Sequence, residues 1–218
     1  MENQYQTIIF DLDGTLADTL QDVRSCINIA LEEMNKPILT ENLAKSAIGP
    51  GSDQFLETIL PDGTDEDKEM FLGKFRSHYW NHCLDHTQLF PGMEKVINSL
   101  EKEKIAVATN KPRKATEKIL EGLGVLDRFD CIMGPEDVNH VKPHPEMIVR
   151  VLERLNCTPS QTLFVGDTDK DMLAGRGAGV VLCGAMYGYG DSIALERQSP
   201  RHIIHEAIQL LDIVHNYK

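Results

Sequence analysis

Apolar positions follow two rhythms along this chain. Tyr5 to Phe10 is β-branched and aromatic without polar alternation, the pattern of a strand buried on both faces of a parallel sheet. The rhythm then changes: Leu20, Val23, Ile27, Ala30, Leu31 and Met34 recur at helical spacing, and Asn35-Lys36-Pro37 is a stop. Shorter helices are predicted over 41–48 and 52–60, punctuated by Gly49-Pro50-Gly51 and Pro61-Asp62-Gly63, and a long one over 65–83. No buried-strand pattern interrupts them. From Leu89 onward strand and helix alternate: helix 93–102, strand 105–109, helix 113–123, strand 131–133, helix 145–156, strand 162–165, helix 170–175, strand 180–183 and a closing helix 206–214. Such alternation predicts an α/β fold, a parallel sheet with right-handed crossovers and helices on its faces. The helical block, residues 16–87, then reads as an insertion after the first strand, with residues 1–15 and 88–218 forming the core. Its two connections, near 16–19 and 85–90, make a hinge.

Chemistry gathers where the strands run out. Asp11-Leu12-Asp13-Gly14-Thr15 follows the first strand, and two neighbouring carboxylates want a cation or a proton. Both face one site if the backbone stays extended past Asp11. Gly14 permits a turn or close approach, and Thr15 adds a hydroxyl. Thr109-Asn110-Lys111-Pro112 ends a second strand with a hydroxyl, an amide and a helix start suited to an anion. Gly166-Asp167-Thr168-Asp169-Lys170-Asp171 ends another, and Lys142 lies in the proline-stiffened Val141-Lys142-Pro143-His144-Pro145. Taken singly, these fit a turn, a solvated lysine and an acidic helix start. In a parallel sheet the carboxyl ends share one edge, so Asp11, Asp13, Thr109, Asn110, Lys142, Asp167 and Asp171 can converge. Clustered carboxylates suit Mg2+, which binds through carboxylates, waters and a phosphate.

Composition narrows the partners. A net charge of -12 over 218 residues argues against a broad nucleic-acid or anionic-membrane surface, while leaving room for a small anion held by a local cation. Hydrophobic content of 41% and charged content of 26% are ordinary for a globular protein. The 5 cysteines form no C-x-x-C pair, which reads as a reduced, cytoplasmic setting. Met1-Glu2-Asn3-Gln4 has no basic and apolar leader pattern, and no apolar run is long enough to span a bilayer.

With those residues in order, the chain resembles the haloacid dehalogenase superfamily over essentially its full length, and within it the phosphoglycolate phosphatase-like branch with a helical cap. Asp11-x-Asp13-Gly14-Thr15 is similar to its first motif, Thr109-Asn110 to its second, Lys142 to its third and Gly166-Asp167-x-x-x-Asp171 to its fourth. Thr109 to Pro112 and the loop-like Gly184 to Gly190 are weaker likenesses. The resemblance implies a Rossmann-like core and two-step phosphoryl transfer. Asp11 would be the nucleophile forming an aspartyl-phosphate, and Asp13 the acid and base. Mg2+ would be held by Asp11, the backbone carbonyl of Asp13 and Asp167, with Asp171 supporting that shell or orienting Lys142. Thr109, Asn110 and Lys142 would stabilise the transferring oxygens. The implied substrate is a small phosphorylated metabolite such as 2-phosphoglycolate, and the implied assembly a monomer or homodimer.

Other features invite weaker readings. His78, His82 and His86 are spaced four apart, but Asp85 projects differently, and a solvated or hinge-lining face accounts for them more simply than zinc. His140 and His144 flank Lys142 without a fixed direction. Asp65-Glu66-Asp67 suits the first turn of the long helix. Phe75 and Trp80 read as core or inter-domain contacts, and Arg76, Lys45 and Arg113 as candidates for a distal anionic group. Within the same fold an inorganic pyrophosphatase or sugar-phosphate mutase shares the chemistry, and Asp13 with Gly14 disfavours a dehalogenase. From other classes come a phospho-accepting receiver-like module and a catalytically silent scaffold.

Overall fold

The computed structural model describes residues 5–49 and 52–215. Met1 to Gln4, and Pro50 and Gly51 of the expected turn, lie outside them. At the centre is β1 (Thr7–Phe10), paired in parallel with β4 (Lys104–Ala108) on one side and β6 (Thr162–Gly166) on the other. Outward from these lie β5 (Cys131–Met133), β7 (Val181–Ala185) and β8 (His202–Ile204), giving a 6-stranded sheet in the order β5-β4-β1-β6-β7-β8.

The unbroken apolar run of β1 is explained by burial on both faces. Ile8 and Phe10 join one core cluster with Val107, Leu163 and Val165, while Ile9 joins a second on the opposite face with Ala106, Ala108 and Phe164. Each fully buried large side chain contributes on the order of 1.5–3 kcal/mol. Helices α5 (Met93–Ser99), α6 (Arg113–Gly122), α7 (Glu146–Leu155), α8 (Asp169–Gly177), α9 (Ser192–Arg197) and α10 (Leu210–His215) complete the core. The strand order grows from β1 to one edge through β4 and β5, then returns to the other through β6, β7 and β8. The carboxyl end of β1 is therefore a topological switch point, where open α/β sheets leave a crevice.

Between β1 and β4 lie α1 (Leu20–Glu33), α2 (Glu41–Ala47), α3 (Ser52–Ile59) and α4 (Asp65–His82). The acidic start of α4 is a capping box: Asp67 N donates to Thr64 Oγ1 at 3.1 Å and Thr64 N to Asp67 Oδ2 at 3.3 Å. Phe55, Phe71, Phe75 and Tyr79 pack their rings together there. Trp80 instead reaches the core, where the Lys118 ammonium lies 4.5 Å from its ring centroid. The two connections pair with each other as short antiparallel strands, β2 (Ala17–Asp18) and β3 (Gln88–Leu89).

Some elements depart from the sequence pattern. Helix α9 and strand β8 were not expected: both are short, and β8 is a partly exposed edge whose pattern carries little periodicity. Gly184 and Ala185, expected in a loop, belong to β7. The closing helix 206–214 is a 3-10 turn (Ala207–Gln209) followed by α10.

Candidate active site

The chain does not stay extended past Asp11. Leu12 O accepts hydrogen bonds from Thr15, Leu16 and Ala17 N, so the backbone curls at once. The condition for two parallel carboxylates is therefore not met, and they diverge. Asp11 turns toward Lys142, whose Nζ lies 2.8 Å from Asp11 Oδ1. Asp13 turns toward Lys111, whose Nζ lies 2.9 and 3.0 Å from its two oxygens, and also accepts from Thr19 Oγ1. Gly14 makes the turn possible: its φ of 81° lies in the left-handed region, and a Cβ there would strike the Asp167 carboxylate.

Lys142 is buried between two carboxylates, with Asp171 Oδ1 at 2.6 Å on its other side. Burial alone would lower its pKa, but Asp11 and Asp171 outweigh that and raise it, keeping the ammonium charged. Asp171 is held in turn by Thr168, whose N and Oγ1 both donate to Oδ2. It orients Lys142. Asp167 accepts from Thr15 Oγ1 at 3.0 Å, Tyr189 N at 2.8 Å and Gly190 N at 3.2 Å. Burial, then the charges of Asp171 and Asp11, push the Asp167 pKa up. Asp11 is pushed up mainly by burial, with Lys142 opposing and Asp171 and Asp13 adding to it.

This is a donor set that fits a divalent cation. Asp11, Asp167 and Asp171 each offer a carboxylate oxygen within 4.8 Å of the others, all buried. Asp11 Oδ1 is buried and accepts no hydrogen bond, despite its closeness to Lys142. A hard oxygen-seeking ion relieves both the repulsion and the unsatisfied atom.

Thr109 is buried, and its Oγ1 accepts from Lys111 N at 3.2 Å. The Asn110 carboxamide is spent on the main chain: Nδ2 donates to Gly49 O and Lys142 O, and Oδ1 accepts from Lys142 N. Sequence reasoning gave two residues here no role. Lys111 stands in the quoted motif, yet its pairing with Asp13 depends on the curl after Asp11. Tyr189, in the glycine-rich loop after β7, uses its N for Asp167 and its hydroxyl for Asp18 Oδ1 at 2.6 Å, while accepting from Thr19 and Leu20 N. It thus ties the carboxylate cluster to the start of α1.

The remaining candidates disperse. His78 pairs with Glu33, His82 with Asp85 and His86 with Asp22, so they assemble no common site. Arg113 pairs with Asp137 and Glu117, and Arg76 is exposed. Lys45 lines a cleft of about 700 Å3 between α2 and the sheet edge, together with Asp13, Asp167, Lys170 and Tyr189. No helix among the described residues is long and apolar enough to cross a membrane.

Known proteins resemble this chain over most of its length. The family described as haloacid dehalogenase-like hydrolase matches residues 8–185. A phosphoglycolate phosphatase from Haemophilus influenzae is 31% identical over 225 residues, covering 98% of this chain and 100% of the relative. An N-acetylmuramic acid 6-phosphate phosphatase from Pseudomonas putida is 33% identical over 84% of each chain. A crystal structure described as that of a predicted phosphoglycolate phosphatase from Haemophilus somnus 129pt superposes with a TM-score of 0.92 at 30% identity, over 96% of this chain and 98% of that one.

Proposed function

Because this chain belongs to the haloacid dehalogenase-like hydrolases and is a phosphoric monoester hydrolase, we propose that it is a Mg2+-dependent phosphatase of a small phosphomonoester, with 2-phosphoglycolate the first candidate. The observation that carries this reading is Asp11 Oδ1, a buried carboxylate oxygen without a hydrogen bond, set 2.8 Å from the Lys142 ammonium and clustered with Asp167.

Asp11 attacks phosphorus in line; its oxygen forms the new bond as the ester oxygen leaves, giving an aspartyl-phosphate. Asp13 gives a proton to the leaving alkoxide. It then takes one from the water that attacks phosphorus and breaks the bond to Asp11, releasing inorganic phosphate. Asp11, the Asp13 carbonyl and Asp167 would hold Mg2+, which when bound would supply positive charge to offset the repulsion between nucleophile and phosphate. Lys142, held by Asp171, meets the transferring oxygens, and Thr109 contributes its hydroxyl. Asn110 acts through the main chain it holds. Residues 16–87 serve as a cap, with the paired β2 and β3 as its hinge and Tyr189 linking hinge to site.

Phosphate release from a panel containing 2-phosphoglycolate, a hexose 6-phosphate, pyrophosphate and ethyl phosphate, with Mg2+ and with chelator, tests the reading. Turnover of the monoesters with Mg2+ and its loss with chelator are expected. Absence of turnover on every compound overturns it.

A further inference from the structure

Among the described residues, two clusters of carboxylates or imidazoles bring their ligand atoms within 4.8 Å of one another. One is the buried set of Asp11, Asp167 and Asp171. The other is His140, His144 and Glu146, to which the proposed chemistry gives no part. Its residues bracket Lys142 in sequence, yet they face the other way: the Lys142 ammonium is buried against Asp11 and Asp171, while both imidazoles are exposed.

We propose that His140, His144 and Glu146 form a separate site for a transition-metal dication of the Zn2+ type, which clips the loop carrying Lys142 from its outer side. Both imidazoles turn Nδ1 toward Glu146: that of His140 lies 3.1 Å from Oε2, and that of His144 accepts from Glu146 N at 3.2 Å. An Nδ1 that accepts a hydrogen bond has its lone pair there and the ring proton on Nε2. This is the tautomer that ligates through Nδ1 and leaves Nε2–H to water. An ionised carboxylate only accepts, so the contact between His140 Nδ1 and Oε2 needs a proton or a metal ion between them. The two rings lie together, centroids 4.6 Å apart and tilted by 36°, close enough for one ion to serve both.

The carboxylate is set in advance. Asn139 N donates to Oε1 at 3.2 Å and His140 N to Oε2 at 3.0 Å, the support from outside the ligand set that orients a metal-binding carboxylate. The Arg150 guanidinium approaches the same carboxylate loosely, 3.9 Å from Oε1. Ligand type separates this site from the oxygen cluster, since imidazole nitrogen suits Zn2+, Ni2+ or Cu2+ and carboxylates alone suit Mg2+. Around a tetrahedral zinc with bonds of about 2.1 Å, ligand atoms stand about 3.4 Å apart, and water takes the fourth position. Exposed side chains reach that spacing by small rotations. A bound ion then joins the chain before Lys142 to the chain after it and to the start of α7.

The inference does not depend on the phosphatase reading, because its measurement is metal binding rather than turnover. Calorimetric titration with Zn2+ in excess Mg2+ compares the unaltered protein with His144→Gln, Glu146→Gln and, as a control, His78→Gln. One zinc equivalent should weaken by on the order of 10-fold or more in His144→Gln and in Glu146→Gln, and hold in His78→Gln. The same equivalent should persist in Asp167→Asn, which weakens the oxygen cluster. Zn2+ should also slow amide hydrogen exchange over residues 139–146 in the unaltered protein and leave it unchanged in His144→Gln. Glu146→Gln keeps an oxygen for the main chain of Asn139 and His140, and circular dichroism checks that each variant is folded. Zinc binding unchanged in His144→Gln and Glu146→Gln overturns the inference. So does loss of the equivalent in His78→Gln alone, which puts the ion on α4, or in Asp167→Asn, which puts it in the oxygen cluster.

Discussion

Asn110 grips the main chain of Lys142 from both sides: its Oδ1 accepts from Lys142 N at 3.0 Å, and its Nδ2 donates to Lys142 O at 3.0 Å. The same Nδ2 donates to Gly49 O at 2.8 Å, so one carboxamide joins the end of β4, the loop carrying the cation and the helical segment.

Asn110→Ala should therefore act through Lys142. Loss of the clamp lets the ammonium stray from the phosphate, and kcat/KM is expected to fall by about 10- to 100-fold, as small misplacements in active sites do. Steady-state kinetics beside a thermal melt separate this from unfolding. Unchanged kinetics would dismiss the clamp.

For Asp11→Asn the expectation is loss of turnover with the fold kept, because the neutral amide cannot form the acyl phosphate yet relieves repulsion with Asp171 and Asp167. A fall of on the order of 1,000-fold or more in phosphate release is anticipated. A rate like that of the unaltered protein would refute the nucleophile.

Metal dependence has a readout apart from turnover. Mg2+ at about 100 times its Kd should stabilise the folded protein by about 2.7 kcal/mol, seen as a higher Tm that chelator reverses. Asp167→Asn should abolish most of that shift, since it removes a carboxylate from the buried cluster. A full Tm response in the variant would place the ion elsewhere.

Asp22 gives a pH prediction remote from the chemistry. Burial would raise its pKa, but hydrogen bonds from His86 N and from Thr87 N and Oγ1 outweigh it and hold the carboxyl below its ordinary value. A carboxyl whose folded pKa is depressed contributes stability that is complete above its unfolded pKa, near 4, and is lost as pH falls through the folded value. Asp22→Asn should cost about 1–3 kcal/mol at neutral pH, with the gap to the unaltered protein closing below about pH 4. Denaturant melts across pH measure it; a gap independent of pH would contradict the assignment.

Much of this was readable in one dimension. The apolar run before Asp11 marked the central strand because both faces of a parallel sheet demand it, and Asp65 to Asp67 marked the first turn of α4, where the helix dipole favours negative charge. Asp167, Asp171 and Lys142 stood out because charged residues beside buried strands need partners. Strand β8 escaped notice, since a short edge strand with exposed positions leaves no distinct period. Lys111 was in plain view and had no visible role: its partner depended on a turn of the chain nearly a hundred positions away.

The sequence by itself determined the order of the longer, periodic elements, the carboxyl edge on which the chemistry collects and the residue types available there, because periodicity and buried charge are local demands. Tertiary structure alone decided the pairings. The curl after Asp11 sent the two carboxylates to different lysines. Asn110 became a clamp, Tyr189 a tie between loop and hinge, and Tyr79 a ring beside the Lys111 ammonium. The physical reason is one of range: a hydrogen bond is satisfied over about 3 Å, and which atoms come that close is set by how the whole chain packs.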